Sequence, residues 1–379
     1  MNGKIIFTNC RAVLPDQVAD SSVSVSDRII HAIDGPAENA EVVDFAGDYL
    51  LPGLVELHTD NLEKHLEPRP GVMWPSSLAA VLAHDGQIAA AGITTVFDAI
   101  CLGDFDSKGN RGAMLEGSVL ALREARKADI LRAEHLLHLR CELADASVID
   151  LFNRFVDEPE LRLVSVMDHT PGQRQWTDID KFRQYHRNKG WSDTELKAEV
   201  TKRQLRMQEH SGRHRQAILE RSREIGIPLA SHDDTTAEHI SEAVADGIGI
   251  AEFPTSREAA DLARRNGMTV IMGAPNLVRG GSHSGNISTE ELSIAGLVDA
   301  LSSDYVPSSL LYAAFTLHRR HGIELPGAIA MVSRTPAHMV GLEDRGEIAV
   351  GRRADLIRVR LAGDVPVVRA AWRQGQRIV

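Results

Sequence analysis

Cysteine is scarce in this chain. Its three cysteines, Cys10, Cys101 and Cys141, form no C-x-x-C pair and are too scattered for a disulfide framework, which fits a reducing cytosol. Basic charge is also in deficit: 42 Lys and Arg stand against 53 Asp and Glu, a net charge of −11 that disfavours general nucleic-acid binding. No stretch approaches the roughly 18 to 20 apolar residues of a membrane span. The amino terminus lacks a basic segment followed by an apolar run and a cleavage site, so no signal peptide is expected. Short repeats and long low-complexity tracts are missing too. These absences predict a cytoplasmic protein without a nucleic-acid or membrane partner. What is present is ordinary for a globular chain, 43% hydrophobic and 25% charged. Its 379 residues suffice for one large α/β barrel with a small appendage.

The two ends read as short strands separated by turns. Lys4 to Thr8, Val23 to Val25, Arg28 to Ile33 and Glu41 to Phe45 lie at one end, and Gly346 to Val350, Asp355 to Arg360, Val365 to Trp372 and Gln376 to Val379 at the other. Neither end can close a domain alone, so residues 1–52 and 345–379 are expected to pack together as one small β-sandwich. Between them, eight apolar strands alternate with helices: Leu51 to Leu57, Ile93 to Ala99, His135 to Cys141, Leu161 to Met167, Ile227 to Ser231, Ile248 to Phe253, Met268 to Met272 and Leu297 to Ser302. Helices are expected at Ser76 to Ala91, Met114 to Ala128, Arg213 to Ile225, Thr235 to Asp246 and Ser256 to Asn266. This alternation predicts an α/β fold, a (β/α)8 TIM-type barrel over residues 53–344. An open, doubly wound sheet competes, but no Gly-rich phosphate fingerprint follows the first strand.

In such a barrel the carboxyl ends of the strands carry function. Strand one ends at His58 and Asp60, strand three at Glu142, strand four at Asp168-His169, strand five at His232-Asp233-Asp234 and strand eight at Asp304. Residues i and i+2 of a strand face one way, so His58 and Asp60 offer an imidazole and a carboxylate to one point. Mixed nitrogen and oxygen donors suit zinc or manganese. Singly, each residue has a plainer reading: His232, Asp233 or Asp234 as a cap of the helix near Thr235, His169 or Asp304 as a turn residue, Glu142 as a solvated loop acid. Together, at successive strand ends, they point to a metal site.

At this point the chain resembles a known family. Leu-Pro-Gly-Leu-Val-x-x-His at 51–58, the late histidines and aspartate, and the closing Gly346-Glu-Ile-Ala-Val-Gly-Arg-Arg-Ala-Asp-Leu356 are similar to the amidohydrolase superfamily across essentially the whole chain. The strings His58-Thr-Asp-Asn-Leu-Glu-Lys-His65, Met167-Asp-His-Thr-Pro-Gly-Gln-Arg174, Ser231-His-Asp-Asp-Thr-Thr236, Gly273-Ala-Pro-Asn276 and Arg279-Gly-Gly-Ser-His-Ser-Gly-Asn286 resemble its phosphonate-metabolism, PhnM-type branch. The resemblance implies hydrolysis of α-D-ribose 1-methylphosphonate 5-triphosphate to the 5-phosphate and diphosphate. It also implies a divalent metal cofactor, two ions held by His58, Asp60, Glu142, His169, His232 and Asp304, with Glu142 bridging. Zinc is the first expectation and manganese the second. Two departures stand out. The first strand carries His-x-Asp where the superfamily commonly has His-x-His, and the middle histidines fall after strands four and five rather than five and six.

Phosphoanhydride hydrolysis needs an activated water and stabilisation of phosphoryl charge, which paired metals supply. Asp304 is the candidate catalytic residue, a weak ligand that accepts the water proton. A triphosphate also needs cations. The segment 171–215, between strands four and five, far exceeds an ordinary βα loop. It holds eleven basic and six acidic residues, so it is +5 in a chain of net −11, and such a local field steers polyanions. Arg174, five residues past His169, is its candidate phosphate contact. Arg279, Ser282, His283 and Asn286 in the Gly-rich loop after strand seven are further substrate-binding candidates. So are Lys64 and Arg69 beyond strand one, although solvated surface charge explains those two equally well. Two competitors remain, an amidohydrolase or deaminase acting on a cyclic amide or nucleobase-like substrate, and a non-catalytic scaffold. The barrel hosts many chemistries. The basic insertion favours a phosphorylated small molecule, and acidic barrels of this kind are expected to form homo-oligomers.

Overall fold

The structure is a computed structural model that describes residues 4–35, 39–103, 111–282 and 285–379. Five strands open the chain: β1 (Ile5–Val13), β2 (Val18–Ser26), β3 (Ile29–Ile33), β4 (Glu41–Asp44) and β5 (Tyr49–Pro52). Eight follow: β6 (Leu54–Thr59), β7 (Ile93–Leu102), β8 (Glu134–Glu142), β9 (Leu161–Met167), β10 (Leu229–His232), β11 (Ile250–Glu252), β12 (Thr269–Gly273) and β13 (Ala300–Ser302). Three close it: β14 (Leu356–Ala362), β15 (Val365–Arg373) and β16 (Gln376–Arg377).

Strands β6 to β13 form one eight-stranded sheet in sequential order, parallel wherever register is defined, with helices between them. This is the expected nearly closed barrel. A bridge between Thr59 and Asp304 joins the end of β6 to the residue just past β13. All eight strands read from the sequence are found, Leu161–Met167 as read and the others with shifted ends. The first reading, Leu51 to Leu57, divides at Gly53: β5 belongs to the small sheet and β6 to the barrel. Gly53 donates its N–H to Asp355 O at 2.8 Å, and a Cβ there would collide with the Thr94 side chain. The helix expected at Arg213 to Ile225 is also longer, Asp193–Glu224, and starts at a Ser192/Glu195 capping box. Its first turns carry few apolar residues, so periodicity marked only its last part.

The chain divides into two compact units, Met1–Asp98, Leu120–Leu136 and Ala300–Val379 in the first, and Ala99–Val119 and Leu137–Asp299 in the second. In the first, the two chain ends pair as expected. β14 runs antiparallel to β5 in a sheet ordered β16-β15-β14-β5-β1-β2-β3, with β4 on β1. Phe7, Phe45 and Trp372 fill its core, with ring centroids 4.8 to 6.0 Å apart. In the second unit the 171–215 insertion builds a small core of Trp176, Phe182 and Leu196 under Ile179, Trp191 and Val200.

The first unit also buries a polar chain in the barrel wall. His84 Nε2 lies 2.8 Å from Asp98 Oδ1, His135 Nδ1 2.8 Å from Asp98 Oδ2, and His135 Nε2 3.3 Å from Asp85 Oδ1. Burial alone would depress the His135 imidazolium, but Asp98 and Asp85 face both its nitrogens and push it up to about 9 from its ordinary 6.5. His84 stacks edge-on to it at 5.7 Å, and Arg126 holds its carbonyl. A raised folded-state value contributes stability that is complete below about 6.5 and disappears as pH rises through about 9. Chemical denaturation should therefore show stability declining between pH 7 and pH 10. In His135→Gln this alkaline decline should be flatter; an unchanged slope would show that His135 is not charged in the folded state.

Candidate metal centre

In the first unit, β6 and β13 bring three candidate ligands to their carboxyl ends. Asp304 N donates to His58 O at 3.1 Å, Asp60 N to Asp304 O at 3.2 Å, and Thr59 Oγ1 to the same carbonyl at 2.8 Å. Backbone hydrogen bonds thus tie the His58–Asp60 segment to Asp304, although 244 positions separate residues 60 and 304. Behind them sits Glu56, fully buried. It accepts from His58 N at 2.6 Å, from Ser302 Oγ at 2.8 Å and from Ser303 N. Burial outweighs these donors and pushes Glu56 up to about 7. Asp304 adopts a left-handed φ of 51°, a conformation that non-glycine residues hold at a cost and that gathers at functional positions.

In the second unit, β8 to β11 deliver a second group. His169 Nδ1 lies 2.6 Å from Glu142 Oε2, and His169 N donates to Glu142 Oε1 at 3.1 Å. His232 Nδ1 lies 2.7 Å from Glu252 Oε2. Each imidazole thereby gives its Nδ1 proton to a carboxylate and turns Nε2 outward. The two Nε2 atoms face Asp233 Oδ2, at 3.6 Å from His169 and 3.4 Å from His232. Burial would lower His169, but Glu142 and then Asp233 hold its imidazolium above the ordinary value. Asp233 has a left-handed φ of 58°.

Two observations test whether these residues suit a divalent cation. Asp233 Oδ2 and Asp60 Oδ1 are buried oxygens with no hydrogen-bond partner, and an unpaired buried carboxylate oxygen is costly. The ligand atoms of His169, His232 and Asp233 also lie within 4.8 Å of one another. Imidazole nitrogens backed by carboxylates and turned toward an unsatisfied oxygen make up the donor set of a metal-binding histidine pair. The residues fit a cation.

Comparison with known proteins agrees. The Amidohydrolase family profile matches residues 197–379. The chain is 43% identical over 378 residues to the alpha-D-ribose 1-methylphosphonate 5-triphosphate diphosphatase of Escherichia coli (strain K12), covering 99% of this chain and 100% of that one. The chain belongs to that diphosphatase branch of the amidohydrolase superfamily. Among solved structures, the dihydropyrimidinase of Brevibacillus agri shares the fold at TM-score 0.65 and 15% identity, covering 99% of this chain and 95% of that one. The N-acetylglucosamine-6-phosphate deacetylase of Pasteurella multocida does so at TM-score 0.64 and 14% identity, covering 99% of each.

Within this amidohydrolase some sequence candidates sit differently from expectation. Both Glu142 oxygens accept hydrogen bonds from His169, and the carboxylate nearest the two Nε2 atoms is that of Asp233. Arg174 is 6% exposed; its guanidinium pairs with Asp234 and Glu242 and donates to His232 O at 3.2 Å. It braces the β10 turn, so the charge read as a phosphate contact is taken up inside the protein. Arg203 and Arg215 of the insertion are likewise buried, paired with Glu199 and Asp246. Arg183, Arg187, Lys189, Lys197, Lys202 and Arg213 stay exposed. Lys64 donates to Tyr305 O and lies 4.9 Å from the Tyr305 ring centroid, next to Asp304 in sequence. Arg69 and Arg279 are exposed, and Ser282 and Asn286 half-buried; His283 lies outside the described residues. Lys181 donates to Gly285 O at 3.3 Å, linking the insertion to this loop.

Glu56, Glu252 and the placement of Asp233 Oδ2 beside the two imidazoles were missed in the sequence. Glu56 had a signal, because it precedes His58 by two positions on the same strand face. Glu252 also had one, as an acid closing a buried strand. Removing one partner of a buried pair leaves the other uncompensated, so Arg174→Ala should lower unfolding free energy by about 3 to 5 kcal/mol. Urea denaturation checks it, and a loss near zero would show that Asp234 needs no cation.

Proposed function

We propose that this chain hydrolyses α-D-ribose 1-methylphosphonate 5-triphosphate to the 5-phosphate and diphosphate, in phosphonate catabolism. The full-length 43% identity to a diphosphatase of that activity carries the reading. The dihydroorotase of Methanopyrus kandleri matches only 17% of the chain, so a cyclic amide is not favoured. His58, Asp60, His169, His232, Asp233 and Asp304 are the proposed ligands, with Glu142 and Glu252 orienting the two later histidines. All lie at carboxyl ends of strands in one parallel sheet. Two zinc ions, or manganese, would activate water and neutralise charge on the phosphoryl oxygens when bound.

The chain's own residues supply the rest. Asp304, held by its bonds to the His58–Asp60 segment, accepts the proton that water loses as the anhydride bond between the first and second phosphates breaks. One water is consumed: the first phosphate stays on the ribose as the 5-phosphate, and the second and third leave together as diphosphate. The exposed cations of the insertion, together with Arg69, Arg279, Ser282 and Asn286, attract and orient the triphosphate. A homo-oligomer in the cytoplasm is the proposed setting; among the described residues no helix is long and apolar enough to cross a membrane. The test is product analysis by phosphorus NMR on purified protein with added zinc or manganese. Stoichiometric diphosphate and the 5-phosphate are expected. Intact triphosphate, with ammonia released from cyclic amides instead, would overturn the assignment.

A further inference from the structure

We propose that the buried chain Asp85–His135–Asp98–His84–Asn61 is a positioning relay that sets Asp60 for metal binding; this rests on the reading of Asp60 as a ligand. The five side chains come from four separate elements of the first unit: Asn61 from the helix Asn61–Leu66, His84 and Asp85 from the helix Ser77–Ala90, Asp98 from β7 and His135 from β8. All five belong to residues no more than 2% exposed.

The hydrogen bonds fix the direction of every proton. Asp98 is an acceptor only, so His84 Nε2 and His135 Nδ1 both donate to it. His135 Nε2 donates to Asp85, which also accepts from Arg132 N at 3.0 Å and Ala133 N at 2.9 Å. With Nε2 committed, His84 Nδ1 is an acceptor, and it takes a proton of Asn61 Nδ2 at 3.1 Å. The second Asn61 proton goes to Gln87 Oε1 at 2.9 Å, which His65 Nε2 also approaches at 2.9 Å. Asn61 therefore has one rotamer and one amide orientation.

Asn61 directly follows Asp60. Asp60 is the cap residue of the helix Asn61–Leu66, yet its side chain makes no capping bond, and its Oδ1 is the buried oxygen without a partner. Nothing in the helix itself holds this carboxylate. Its place is set from either side, by the Asp304 backbone and by the clamped Asn61. Burying two carboxylates, two imidazoles and an amide is expensive, and apolar side chains would pack such a wall at least as well. A purpose at the end of the chain accounts for them.

The experiment compares wild type, Asn61→Ala and Asp98→Asn, the last at a residue outside the proposed ligand set. Zinc affinity is read by competition with a chromophoric chelator at a temperature well below each unfolding midpoint, and kcat and KM are read at saturating zinc. Outer-shell partners typically contribute 10- to 100-fold in metal affinity. Both variants are expected to bind zinc about 10- to 100-fold more weakly, with kcat reduced and KM nearly unchanged. Wild-type zinc affinity with wild-type kcat in the folded variants, even with lower midpoints, would make the chain a purely structural feature. Should Asp98→Asn not fold, Asn61→Ala, which deletes only an amide, decides alone. Wild-type product analysis tests the substrate and the variant-to-wild-type affinity ratio tests the relay, so the two fail separately.

Discussion

Asp304→Asn is expected to fold, to keep its pairing with His58 and Asp60, and to lose about 10² to 10⁴ in turnover, the usual scale of general-base catalysis. The backbone of Asp304 makes the tying hydrogen bonds, through its N–H to His58 and its carbonyl to Asp60 and Thr59. An amide side chain leaves those intact. The loss should therefore appear in kcat, with circular dichroism and unfolding midpoint close to wild type. The left-handed φ of 51° at Asp304 favours the substitution further, because Asn tolerates that conformation well. Near-normal turnover would remove Asp304 from the proton transfer and leave it a turn residue.

Glu142→Gln separates two roles. If Glu142 orients His169, as its 2.6 Å contact with Nδ1 indicates, the amide oxygen still accepts that proton without its charge, while the amide NH2 can no longer accept from His169 N. Metal affinity or activity should then fall by about 10- to 100-fold, and the number of ions per chain should not change. If Glu142 bridges two ions, as the family resemblance implies, the variant should lose one ion outright. Metal content by elemental analysis reads the difference.

Much of the architecture was legible in the sequence because a parallel barrel writes itself as buried apolar runs. Leu161–Met167 is found as read, and β7, buried at every position, could hardly be misread. The ends of strands were less legible, since β10, β11 and β13 are only three or four residues long. The strand-end rule singled out His58, Asp60, His169, His232 and Asp304, all of which lie at or just past strand ends, but could not say which carboxylate lies beside an Nε2 and which beside an Nδ1. That distinction depends on side-chain direction at Glu142, Glu252 and Asp233. Charge was the least legible property. Arg174 reads as an accessible cation in a basic segment, whereas its partners Asp234 and Glu242 lie about sixty residues away and only folding brings them to it. The His84–Asp98–His135 chain has no linear signature, because its members come from separate elements.

The proposed hydrolysis requires a divalent cation at the strand ends. The most direct measurement is anomalous scattering from crystals grown with zinc, collected on both sides of its absorption edge. The expected result is one peak about 2.0 to 2.2 Å from His169 Nε2, His232 Nε2 and Asp233 Oδ2, and a second at His58 and Asp60 Oδ1. A map with no anomalous peak at these residues under zinc saturation would contradict it.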